Sequence, residues 1–77
     1  MYKREFALEQ PFTVEYKTVY EENGFYIELV KYEKGIEIQR ERRFVGKDKV
    51  KCNNILEALY KNSVTPMHLN CIIEDIF

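Results

Sequence analysis

The side chains best suited to nucleophilic, acid–base or metal chemistry are few: one histidine, His68, and two cysteines, Cys52 and Cys71. A histidine acts as a general base only with an orienting partner and a nucleophile within hydrogen-bond reach. His68 and Cys71 stand three residues apart, which on a helix puts them on one face. Cys71 runs into Ile72-Ile73, however, and an apolar setting disfavours the thiolate on which reactivity depends. The third position of a helix, where the spacing puts His68, favours a neutral imidazole packed on the sheet edge or bonded locally around Thr65. Neither Cys-x-x-Cys nor His-x-x-x-His spacing is present, so these residues do not read as a zinc site. Glu74 and Asp75 are neighbours on a helix and point apart, which excludes an acid–base dyad. The chain has neither a glycine-rich phosphate loop nor a nucleophile elbow, and its 3 glycines all read as turn residues. The sequence therefore assigns no catalytic residue, metal ligand or cofactor, and it reads as non-enzymatic.

Two surface constellations remain. Arg40, Arg42 and Arg43, followed by Lys47, Lys49 and Lys51, make the most lopsided charge cluster in the chain and suit an anion or a nucleic acid. The competing reading is a solvated strand end whose arginine stems shield the edges of the core. The charge total favours that plainer reading. With 12 basic and 13 acidic side chains the net charge is −1, whereas nucleic-acid affinity rests on neutralising phosphates. The second constellation is Tyr26, Val30 and Tyr32, joined by Val19, an apolar stripe on a sheet face that ought to be polar. Such stripes mark a partner surface or self-association unless another segment, here residues 1–11, folds over them.

These residues are positioned by alternating segments. Phe12, Val14, Tyr16, Thr18 and Tyr20 fall on one face of an extended chain, with Thr13, Glu15 and Lys17 on the other and Val19 the misfit. That is the pattern of a half-buried strand. Asn23-Gly24 follows, the strongest short hairpin signal. A two-residue turn there predicts Glu22 opposite Phe25, Tyr20 opposite Ile27 and Thr18 opposite Leu29, with the apolar residues of both strands on one face. Lys34-Gly35 supplies a second turn. It predicts a third strand with Ile36, Ile38, Arg40 and Arg42 on the core side and Glu37, Gln39, Glu41 and Arg43 outside. Residues 1–11 read as an N-terminal arm or an edge strand interrupted by Gln10-Pro11.

A meander with one apolar face must be covered. Cys52, Ile55, Leu56, Leu59 and Tyr60 have helical spacing, and Asp48 or Asn54 starts that helix. Thr65-Pro66 opens another, with threonine as N-cap and proline in the first turn, and Leu69, Ile72, Ile73 and Ile76 as its inward stripe. The expected architecture is α+β: one domain over 1–77, with an arm or edge strand at 1–11, a three-stranded antiparallel β-meander at 12–45, and two C-terminal helices at 48–77 packed on one face. At 77 residues the chain has little core to spare for an internal cavity.

The cysteines read as free, buried thiols of a reducing compartment. Met1–Phe6 is charged, with no apolar stretch behind it of the kind a secretion signal needs. No apolar run approaches the roughly 18 residues that span a bilayer. The expectation is a soluble, cytoplasmic protein without membrane contact.

The run Leu59-Tyr60-Lys61-Asn62-Ser63-Val64-Thr65-Pro66-Met67-His68-Leu69, continuing to Ile72-Ile73-Glu74-Asp75, resembles the end of a family of small uncharacterised proteins. These come from Gram-positive, mostly anaerobic bacteria and are catalogued as a domain of unknown function. The resemblance implies a β-rich part with Tyr-rich strands, a helix, and a Val-Thr-Pro-x-His-Leu turn into a last acidic helix. It implies no activity. Together these features favour a non-enzymatic protein-interaction or regulatory module, its partner another protein or a second copy through the outer sheet face. A small phage or mobile-element inhibitor of a host defence complex, and an anion or nucleic-acid binder through Arg40, Arg42 and Arg43, are the alternatives.

Overall fold

The computed structural model describes residues 1–69. They form β1 (Tyr2–Phe6), β2 (Phe12–Glu21), β3 (Gly24–Glu33), β4 (Ile36–Gly46) and α1 (Lys49–Lys61), followed by a single 3-10 turn, Pro66–His68. The strands pair in chain order into one antiparallel sheet, so β1 and β4 are its two edges. This corrects the expected three-stranded meander with two helices: the sheet has four strands, and the described residues hold one α-helix.

The extra strand is β1. Tyr2, Arg4 and Phe6 lie opposite Tyr16, Val14 and Phe12, which puts all three on the inner face. Phe6 stacks on Phe12 with ring centroids 4.5 Å apart, and Tyr2 stacks on Tyr60 of α1 at 4.7 Å. These ring contacts, added to the ladder, give five residues enough purchase to pair rather than hang as an arm. The second expected helix meets the described residues only at its start. Thr65 is extended there, but its side chain makes no capping bond, and the turn that follows is 3-10, closed by the His68 amide donating to the Thr65 carbonyl at 3.0 Å. The remainder of that helix, with Cys71, Ile72, Ile73, Glu74, Asp75 and Ile76, lies outside the described residues.

The first hairpin also departs from its expected register. Tyr20 pairs with Phe25, Thr18 with Ile27 and Tyr16 with Leu29, so the turn residues are Glu22 and Asn23. The shift is two residues, and with a side-chain period of two every face is preserved. Gly24 is not a turn residue but the first residue of β3. Its φ is +136°, and a Cβ there would sit 2.5 Å from the Gly46 carbonyl oxygen. Glycine is needed because the hairpin end abuts the end of β4. The second turn agrees with its signal: Lys34 and Gly35 both have positive φ, 52° and 79°, as a type I′ turn demands.

The strand after that turn is reversed in face. A register shift between Lys31 and Tyr32 leaves Ile38 as the extra residue, because Tyr32 pairs with Glu37 and Lys31 with Gln39. One inserted residue inverts everything beyond it. Gln39, Glu41 and Arg43 therefore face inward, and Arg40 and Arg42 face outward. Ile36 and Ile38, expected in the core, are 67% and 52% exposed.

The core is built from Val14, Tyr16, Ile27 and Leu29 of the sheet and Cys52, Ile55, Leu56 and Leu59 of α1, closed by Val64 and Leu69. Asp48 starts the helix: it is extended, and its Oδ1 accepts from the Lys51 amide at 3.1 Å. Asn54 lies in mid-helix. The far end is held by Arg4, whose Nη2 donates to the Tyr60 carbonyl at 3.1 Å, a cation placed at the negative end of the helix dipole. Inside, the Tyr16 hydroxyl donates to the Val64 carbonyl at 2.7 Å.

Candidate functional site

The outer face of the sheet carries no covering element among the described residues, and its side chains form cross-strand rows. One row is Lys17–Glu28–Arg42, and the next is Lys3–Glu15–Val30–Arg40. Glu28 is the hub. It is only 4% exposed, yet it lies on the open face. Lys17 Nζ is 3.2 Å from its Oε1, Arg40 donates to the same oxygen, and Arg42 Nε is 3.3 Å from Oε2. A carboxylate so nearly dehydrated needs its charge met and its lone pairs filled, and three cations do both. Arg40 also reaches Glu37 at 2.6 Å, and that bond holds the Glu37 carboxyl below its ordinary pKa. Arg42 reaches Glu21 at 3.3 Å and lies 5.0 Å from the Tyr26 ring centroid.

This network decides the fate of the predicted apolar stripe. Val30 is fully buried, flanked in register by Glu15 and Arg40. The long charged side chains in the neighbouring rows carry methylene stems of the kind that cover apolar surface. Tyr26 and Tyr32 are half-buried. Tyr26 packs edge-on against Phe44 at 5.2 Å and Tyr32 contacts Glu15 at 3.5 Å. Val19 is half-buried opposite Tyr26. The four residues do share the outer face, but as a filled surface.

The predicted arginine patch is divided. Arg40 and Arg42 share the outer face and are committed to carboxylates, whereas Arg43 lies opposite Ile27 on the inner face and is engaged within the chain. Among the described residues His68 is exposed and Cys52 is buried and free, its thiol pKa pushed up by burial. Cys71 lies outside them. No group of three His, Cys, Asp or Glu among the described residues is placed to hold a metal, and none of the described helices is long and apolar enough to cross a membrane.

Several open clefts mark the surface, and two at the sheet ends are lined by phenylalanine. The larger, about 630 Å³, is lined by Tyr20, Glu22, Gly24, Phe25, Lys47 and Lys49. It sets two lysines beside an aromatic pair, Tyr20 and Phe25, 4.9 Å apart, and holds no base–nucleophile pair. The other, about 340 Å³, lies between the β1–β2 loop and the Lys34-Gly35 turn.

The surface that sequence reasoning missed is the free edge of β4. The strand runs 11 residues, is paired on one side only among the described residues, and exposes Ile36, Ile38 and Phe44, the last 44% exposed. The inserted residue that exposes Ile38 has no signature in composition or periodicity. The Glu28 hub was hidden by the register: the turn expected at Asn23-Gly24 sets Lys17 opposite Val30, and only the observed pairing brings it opposite Glu28.

A model of the family of unknown function DUF6514 matches residues 2–77, all four strands and α1 included. The chain belongs to that family. The match meets the expectation of a domain of unknown function. Neither a curated protein nor a solved structure matches the chain.

Proposed function

We propose that this protein is a non-enzymatic interaction module that works in the cytoplasm and receives an extended segment of a protein partner along β4. The observation that carries the reading is the state of that edge. Edge strands are ordinarily guarded by charged side chains that overhang the unpaired backbone. Here Arg40 and Arg42 fold back onto β3, to Glu28, and leave the edge flanked by exposed Ile36, Ile38 and Phe44. An edge of this kind takes an added strand, with main-chain bonds giving affinity and apolar residues giving selectivity. The outer face contributes rigidity to β4 rather than a docking surface. The near-balanced charge and the pairing of Arg40 and Arg42 favour a protein partner over a polyanion.

A photo-crosslinking residue at position 38, compared with one at exposed Asn54 on α1, tests the reading in producing cells. Protein adducts from position 38 and none from position 54 are the expected result. No adduct at 38, or equal yields from both positions, would overturn it.

A further inference from the structure

We propose that the strand received by β4 is the β4 of a second copy, antiparallel about a two-fold axis through Arg42. This inference rests on the reading of β4 as a docking edge and names its occupant. An antiparallel pair of identical edge strands has its axis normal to the sheet, so facing residues share a face and one residue meets itself. Between the irregularities at Ile38 and Val45 the strand alternates cleanly, Arg40, Arg42 and Phe44 outside, Glu41 and Arg43 inside. Charge then selects among the registers this stretch allows.

An axis through Glu41 sets Glu41 against itself and Arg40 against Arg42 twice, three like-charge contacts. An axis through Arg40 or Arg43 sets an arginine against itself with no ion pair in return. An axis through Arg42 places Glu41 opposite Arg43 of the second copy, twice, and Arg40 opposite Phe44, twice. Opposite charges directly across a ladder stabilise and like charges destabilise, and a guanidinium facing an aromatic ring is attractive. Arg43 has five donors, enough for the second copy's Glu41 beside the partner it already has. The one like-charge contact left, Arg42 at the axis, is relieved by the sheet itself. Each Arg42 is drawn away from the edge by Glu28 and Glu21, both at 3.3 Å, and lies against Tyr26. The result is one continuous eight-stranded sheet with both helices on the same side. Five facing pairs, Arg40–Phe44, bury an area at the low end of specific interfaces, so association is weak and concentration-dependent.

Sedimentation across a wide concentration range tests this on the full chain. The mass is expected to rise to that of two chains, to stay at one for Glu41→Arg and for Arg43→Glu, and to rise again for the double variant, whose recovery also shows that the substitutions leave the fold intact. A single-chain mass at every concentration, or a dimer indifferent to both single substitutions, would sink the proposal. If the chain stays single while position 38 still crosslinks to a different protein, the second copy is wrong and the docking edge stands. If position 38 crosslinks to nothing, both readings fall.

Discussion

Leu29 and Val30 are consecutive residues of β3, and both are fully buried, but for different reasons. Leu29 lies opposite Tyr16 beneath α1, in the same cluster as Leu56 and Leu59. Val30 points the other way and is no part of that cluster. It is flanked in register by Glu15 and Arg40, whose charged ends join the ion pairs of Glu15 and Glu28. One face is sealed by a packed layer and the other by a web of ion pairs. A packed layer resists salt and suffers when volume is removed. A web resists the loss of a methyl group and suffers when charge is removed or screened.

Four measurements separate the two faces. The largest effect is expected for Leu29→Ala, a loss of about 2–5 kcal/mol in denaturant titrations, the same at low and high salt. Next is alkaline pH. Burial raises the Tyr16 hydroxyl from 10.0 to about 12. The folded pKa exceeds the unfolded one, so this contribution is intact below pH 10 and is lost as pH climbs toward 12. The loss amounts to at most about 3 kcal/mol. Ultraviolet titration is expected to show one tyrosine ionising late, and Tyr16→Phe to remove it; a late tyrosine that survives that substitution would locate the dry site elsewhere. Third is Glu28→Ala, about 1–2 kcal/mol at low salt. The cost is moderate because the cations left behind, Lys17, Arg40 and Arg42, have side chains 29%, 42% and 42% exposed and turn to water. The loss is expected to shrink near 1 M salt, and a salt-independent loss would mean that the outer face is sealed as the inner one is. The smallest is Val30→Ala, about 1 kcal/mol, because mobile stems collapse into the space.

The inner face could be read directly from residue types. Val14, Tyr16, Ile27 and Leu29 alternate at period two, and Cys52, Ile55, Leu56 and Leu59 recur at helical spacing, so sheet and helix announce their contact. The Lys34-Gly35 turn was equally plain. Three things were not. β1 holds its place through Tyr2 and Arg4 against Tyr60, contacts between residues more than fifty positions apart that no local pattern encodes. Gly24 announced a turn, but its conformation serves a close approach to Gly46. The irregularity at Ile38 costs one residue of register and exchanges the faces of everything from Gln39 to Phe44. Periodicity alone put Arg40 and Arg42 in the core, and the docking edge stayed out of sight for the same reason.

The clasp between Arg4 and the Tyr60 carbonyl spans 56 positions, and that between Tyr16 and Val64 spans 48. On a ribosome neither can shut until those later residues have been made, so the sheet waits with its oily side unroofed while the helix is still being synthesised. Contacts so distant in sequence close slowly, and a chain cut short before Tyr60 would expose that oily side and aggregate rather than work as a smaller protein.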